Sequence, residues 1–108
     1  MKMGDTMLNL YVLDAVSSKK VPAEIDPASK EDFAATHDWQ TNWESTYARQ
    51  LPNKVVLHRE DNYELLGLMS YELDERGLAV EVLYMESARH SNANLLHATG
   101  EAKRYIGI

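Results

Sequence analysis

Residues 65–86, LLGLMSYELDERGLAVEVLYME, limit what this chain can fold into more than any other stretch. Two apolar runs, 65–73 and 78–85, flank Asp74-Glu75-Arg76-Gly77, a short polar loop closed by glycine, and that is the pattern of a β-hairpin. In the second run Leu78, Val80, Val82 and Tyr84 share one face, and Ala79, Glu81, Leu83 and Met85 share the other. Both faces are apolar apart from Glu81. Such a strand expects cover on both sides, which predicts a place inside a sheet with helices packed on it.

The remaining chain has to supply that cover. Residues 7–16 (MLNLYVLDAV) mix alternation with β-branched and aromatic side chains and predict a first strand. Residues 21–28 carry Pro22 and Pro27, which oppose a ladder or a helix interior, and read as a connecting loop. Ser29 followed by Asp32 has capping-box spacing and predicts a helical segment running to about Gln50. Its row of Trp39, Trp43 and Tyr47 either packs the helix on the sheet or lines an acceptor pocket. Leu51-Pro52-Asn53 ends it, residues 54–60 (KVVLHRE) form a short strand, and Asp61-Asn62 turns into the hairpin. Residues 87–99, rich in Ser, Asn and His, show no sustained period and read as loop. The predicted class is α+β: an antiparallel four-stranded sheet in sequence order with helices on one face, in a single domain over residues 1–108.

Composition narrows the partners. With 17 acidic against 11 basic residues and a net charge of -6, the chain lacks the clustered basic face that nucleic acid or an anionic membrane requires. There is no cysteine, so thiolate catalysis and thiolate zinc sites are excluded. No apolar run approaches the ~18 residues of a membrane span, and the expected location is the cytoplasm. His37, His58, His90 and His97 have no tight metal spacing, and no metal is expected.

Leu66-Gly67-Leu68-Met69-Ser70, residues 82–88 (VLYMESA) and residues 103–108 (KRYIGI) together resemble, in that order, the N-terminal half of a GNAT-type N-acetyltransferase, an acyl-CoA N-acyltransferase fold. The resemblance places Leu66-Gly67-Leu68 in the third strand and residues 82–88 in the fourth strand and its exit. It makes Arg104-Tyr105-Ile106-Gly107-Ile108 the start of an Arg-x-x-Gly-x pyrophosphate loop, in which helix N-terminal amides hold the cofactor. The chain ends within that loop, so the expectation is a partial domain of this family.

What the resemblance implies for chemistry follows residue by residue. Acetyl transfer from acetyl-CoA to an amine needs a polarised thioester carbonyl and a base. The family places the polarising amide near a bulge in the fourth strand, here Leu83, Tyr84 and Met85, and draws its base from a carboxylate on or near that strand. Glu81 is the first candidate, on the reasoning that burial on an apolar strand raises its pKa; Glu86 is the second and, as an exit residue, is expected to be solvated. Arg104 and Gly107 are the cofactor-loop candidates, and Tyr105 lies beside them. The alternative is a non-enzymatic binding or oligomerisation module. Under either reading the outer edge of residues 78–85 is left unpaired, and a homodimer is expected to cover it, with Leu95, Leu96, Tyr105, Ile106 and Ile108 available for the contact.

Overall fold

The computed structural model describes residues 10–77 and 79–107. Its strands are β1 (Tyr11–Asp14), β2 (Lys20–Pro27), β3 (Lys54–Arg59), β4 (Leu65–Leu73), β5 (Val80–Ser87) and β6 (Tyr105–Ile106). Among the described residues three short helices join them: α1 (Lys30–Ala34), α2 (Thr46–Arg49) and α3 (Ala93–Thr99), the last preceded by a 3-10 turn at Arg89–Ser91. Among the described residues all six strands form one antiparallel sheet in the order β5-β4-β3-β2-β1-β6, curled as a half-barrel. This overturns the expected four-stranded sheet with helices on one face, for three physical reasons.

The first is β2, a strand where two prolines predict a loop. In the ladder registers Lys20 to Pro22 face β1 and Ala23 to Pro27 face β3, and at the changeover the Pro22 carbonyl accepts the Glu60 amide while the Ala23 amide donates to the Leu10 carbonyl, each at 3.0 Å. Pro22 stands where the strand passes from one partner to the other and Pro27 is its last residue, positions that tolerate the loss of a donor. The second is the helical segment, which breaks after five residues. Ser29 and Asp32 do form a capping box, with the Asp32 carboxylate accepting the Ser29 amide at 2.8 Å. Beyond Ala35, polar side chains compete for the backbone: Thr36 Oγ1 accepts the Trp43 amide at 2.9 Å, Asn42 Oδ1 accepts the Glu44 amide at 2.9 Å, and Ser45 caps α2. The third is β6, two residues that add to the free side of β1 through Leu13 opposite Ile106 and Asp14 opposite Tyr105.

Smaller corrections have equally local causes. The first strand ends at Asp14, because its Oδ1 accepts the amides of Val16 and Ser17, each at 2.9 Å, in an Asx turn; residues 7–9 of the expected strand lie outside the described residues. The hairpin is present, with β4 over Leu65–Leu73 and the loop closed by the Gly77 amide donating to the Asp74 carbonyl at 2.9 Å. Its second strand begins at Val80 and runs on to Ser87, while Leu78 lies outside the described residues. Within residues 87–99, Asn92 caps α3 and Gly100 ends it in the left-handed conformation, φ 73°.

Two apolar clusters hold the sheet. Trp39, Trp43 and Ala48 pack on Val56 and Leu68 with Ala88, while Val12, Ala23, Leu66 and Tyr105 form the second cluster. A register shift beside Leu57 and His58 gives β4 one extra residue, so Leu65 and Leu68, three apart, pack in the same cluster while Leu66 joins the other. Among the described residues no helix is long and apolar enough to cross a membrane.

The irregular segment between α1 and α2 is tied to the sheet by one buried carboxylate. Glu86 accepts the Gln40 amide at 2.6 Å, the Thr41 amide at 3.2 Å and the Trp43 indole N–H at 3.3 Å. The expectation that Glu86 is solvated is therefore corrected. Replacing it with alanine strands three donors at once, and Glu86→Ala should cost about 2–4 kcal/mol in urea unfolding. A cost below about 0.5 kcal/mol would show that the contacts are dispensable.

Candidate functional site

β5 is an edge strand among the described residues, with β4 on one side and no described strand on the other. Its ladder to β4 runs Met69 to Met85 and Ser70 to Tyr84, then shifts so that Tyr71 faces Val82. Leu83 is the extra residue, and the bulge frees it from ladder pairing. The residue position that the acetyltransferase resemblance assigns to carbonyl polarisation is thus bulged and lies on an open edge.

The side chains around the bulge divide by face. Tyr84 packs edge-on against Trp43 with ring centroids 5.6 Å apart, and its hydroxyl hydrogen-bonds to Thr41 Oγ1 at 2.6 Å. Met85 lines a cavity of about 390 Å³ together with Ile25, Val55, Leu57 and Met69. Gln40, Asn92 and Asn94 add amides to the same cavity, where Gln40 Oε1 accepts from Asn92 Nδ2 at 3.1 Å, and Glu86 also lines it with its carboxylate engaged by Gln40, Thr41 and Trp43. An apolar trough with a few amide groups suits an elongated, mostly uncharged ligand arm. Neither the trough nor its amides is visible in the sequence, because β2, β3, β4, β5 and the α3 cap each contribute to it.

The other expected residues fall elsewhere. Glu81 is exposed and sits opposite Glu72 in the ladder, so the apolar enclosure reasoned for it is absent. Arg104 and Gly107 flank β6, the edge opposite β5, with four strands between the two in pairing order. Arg104 donates its amide to the His90 carbonyl at 2.7 Å and pairs its guanidinium with Glu64 at 3.2 Å. Gly107 adopts φ 92°, directly after residues engaged in the β1 ladder. Tyr105 is core rather than cofactor contact: it is buried with Val12 and Leu66, and its hydroxyl donates to Glu64 at 2.7 Å. Of the aromatic row, Trp39 and Trp43 are buried in the core and Tyr47 is exposed.

A fit to acetyl-CoA is therefore divided. The bulged free edge and the trough fit an acyl-pantetheine arm, whose amides can pair with an open strand. The Arg104–Gly107 stretch does not fit the pyrophosphate, since its backbone is committed to β6 and its cation to Glu64. Comparison with family models, with curated proteins and with solved structures gives no match to this chain.

Glu64 is the hub that fixes the tail, taking His90 Nε2 at 3.3 Å in addition to Arg104 and Tyr105. Burial holds His90 below its ordinary value, Glu64 opposes that shift, and Arg104 adds to it. A base depressed on folding stabilises the protein above its unfolded value near 6.5, and that contribution is lost as pH falls through the folded value. Glu64→Gln should lower the His90 midpoint further in an NMR titration of the ring protons. An upward move would show that Glu64 does not act on His90.

Proposed function

We propose that this chain binds acyl thioesters of the acetyl-CoA kind along the β5 edge, in the cytoplasm, for transfer of the acetyl group to an amine. The observation that carries this reading is the Leu83 bulge on β5, which has no described strand on its outer side, beside an apolar trough. A bulge takes one backbone amide out of the ladder, and an amide held in that way can polarise a thioester carbonyl. The flanking edge groups of β5 offer strand-type hydrogen bonds to the amides of a pantetheine arm. The exposed Glu81 carboxylate is within the same strand and is the base this reading assigns.

Because the Arg104–Gly107 stretch offers the diphosphate no free cation or backbone among the described residues, most of the affinity rests in the arm. Acetyl-CoA and S-acetylpantetheine should then bind equally weakly, with dissociation constants of about a millimolar, and both should shift the amide resonances of Val82 to Glu86. Resonances unmoved by either compound would refute thioester binding. Sub-micromolar binding of acetyl-CoA alone would instead place a diphosphate site elsewhere in the chain.

A second reading, the assembly module, is favoured by the exposure of Leu73, Val80, Val82 and Met85 at the same edge, where residues 80–87 contain neither proline nor lysine to block pairing. A second copy pairing β5 to β5 about a two-fold axis covers these side chains. Light scattering during size exclusion should then give about twice 12.3 kDa, and Val82→Lys should return the monomer. A wild-type monomer across the micromolar range would contradict the dimer and leave the edge free for the thioester.

A further inference from the structure

Strand alternation places Glu24 and Asp26 on one face of β2, and pairing sets Glu24 directly opposite His58 of β3. His58 is 3% exposed. Its Nδ1 donates to the Arg59 carbonyl at 2.8 Å, which fixes the ring and turns Nε2 toward the two carboxylates. Nε2 hydrogen-bonds to Asp26 Oδ2 and stands 3.8 Å from Glu24 Oε2. One oxygen from each acid and one nitrogen of the imidazole lie within 4.8 Å of one another. Tyr63 stacks on the ring, centroids 3.8 Å apart, from a left-handed backbone position of φ 58°.

An imidazole with both nitrogens engaged cannot serve as a free general base, yet this arrangement matches what a metal ligand needs. The Arg59 carbonyl acts as the outer partner that selects the tautomer. The carboxylates are about half exposed, which leaves coordination positions open to water. Ligand atoms around a tetrahedral ion with bonds of about 2.0–2.2 Å stand roughly 3–3.5 Å apart. Glu24 stands near that spacing from Nε2 at 3.8 Å, and a cation entering between His58 and Asp26 widens that contact.

We propose that Glu24, Asp26 and His58 form a three-ligand site for a divalent transition ion, with water completing the shell and Zn2+ the best match to one imidazole and two carboxylates. Without the ion, a proton fills the place between His58 Nε2 and Asp26. Burial pulls the His58 imidazole down, but the Asp26 hydrogen bond, the Arg59 carbonyl and the charges of Asp26 and Glu24 outweigh it and hold the ring above its ordinary value. The groups around it are Glu24 and Asp26 from β2, Arg59 beside it on β3, and Tyr63 over the ring, with Asp32 and Glu31 of α1 acting on Tyr63. Protons compete with a cation for the same imidazole nitrogen, so binding is tighter at higher pH.

The test is calorimetric titration of the chelator-treated full chain with ZnCl2 at pH 6.0 and 7.5, paired with NMR of the histidine rings. The expected result is one ion per chain, tighter binding at the higher pH, and a shift of the His58 Nε2 resonance. Glu24→Gln, a half-exposed position that leaves the fold intact, should weaken binding by at least tenfold, and so should Asp26→Asn. No binding, or binding that perturbs His90 or His97 and is unaffected by Glu24→Gln and Asp26→Asn, would overturn the proposal.

Discussion

The carboxylate of Glu86 is the contact on which the rest of the molecule depends. The stretch between α1 and α2 has no regular hydrogen bonding of its own, and buried backbone amides without partners are costly. Glu86 satisfies Gln40 and Thr41 while fixing the Trp43 indole against β5. Trp43 in turn holds Tyr84, the residue next to the Leu83 bulge. One side chain thus anchors the irregular cover to the sheet and steadies the only described edge that carries a bulge. Gln40, whose amide Glu86 holds, and its hydrogen-bonded partner Asn92 form part of the trough's polar lining.

A chain with 17 acids and 11 bases has few cations to spare, and the structure uses several of them internally. Glu64 alone engages Arg104 and His90 and lies 3.9 Å from Arg59, which also pairs with Asp61 at 2.6 Å. These ties bring the tail back onto β1 and bury Tyr105. They also occupy the guanidinium that a phosphate-binding loop would need. Under the thioester proposal, an acyl arm would meet an open backbone edge and a diphosphate a committed strand.

Legibility in the sequence followed the range of the interactions. β4 was readable to the residue, because an apolar run followed by a polar loop closed by Gly77 is a local signal. The capping box at Ser29 and Asp32 was equally local, and so were the Asn92 and Gly100 caps of α3, although the apolar period between them was too weak to mark a helix. β2 was hidden by Pro22 and Pro27, whose acceptability depends on which strand lies beside each half. β6 has two residues and no pattern to detect. In the site, Leu83 entered through a family resemblance rather than through spacing, and Glu86 was misjudged because its three donors lie more than forty residues away. Glu24 and Asp26 show their alternation openly, but only the β2–β3 register brings His58, thirty-odd residues later, between them.

Amide-resolved hydrogen exchange, extended to the indole, tests the anchoring role of Glu86 most directly. The Gln40 and Thr41 amides and the Trp43 indole N–H should exchange at least about a thousandfold more slowly than unstructured peptide, approaching the protection of the β3–β4 ladder. Exchange as fast as that of the exposed turn at Glu75 would contradict it, and the segment between α1 and α2 would then be held by apolar packing alone.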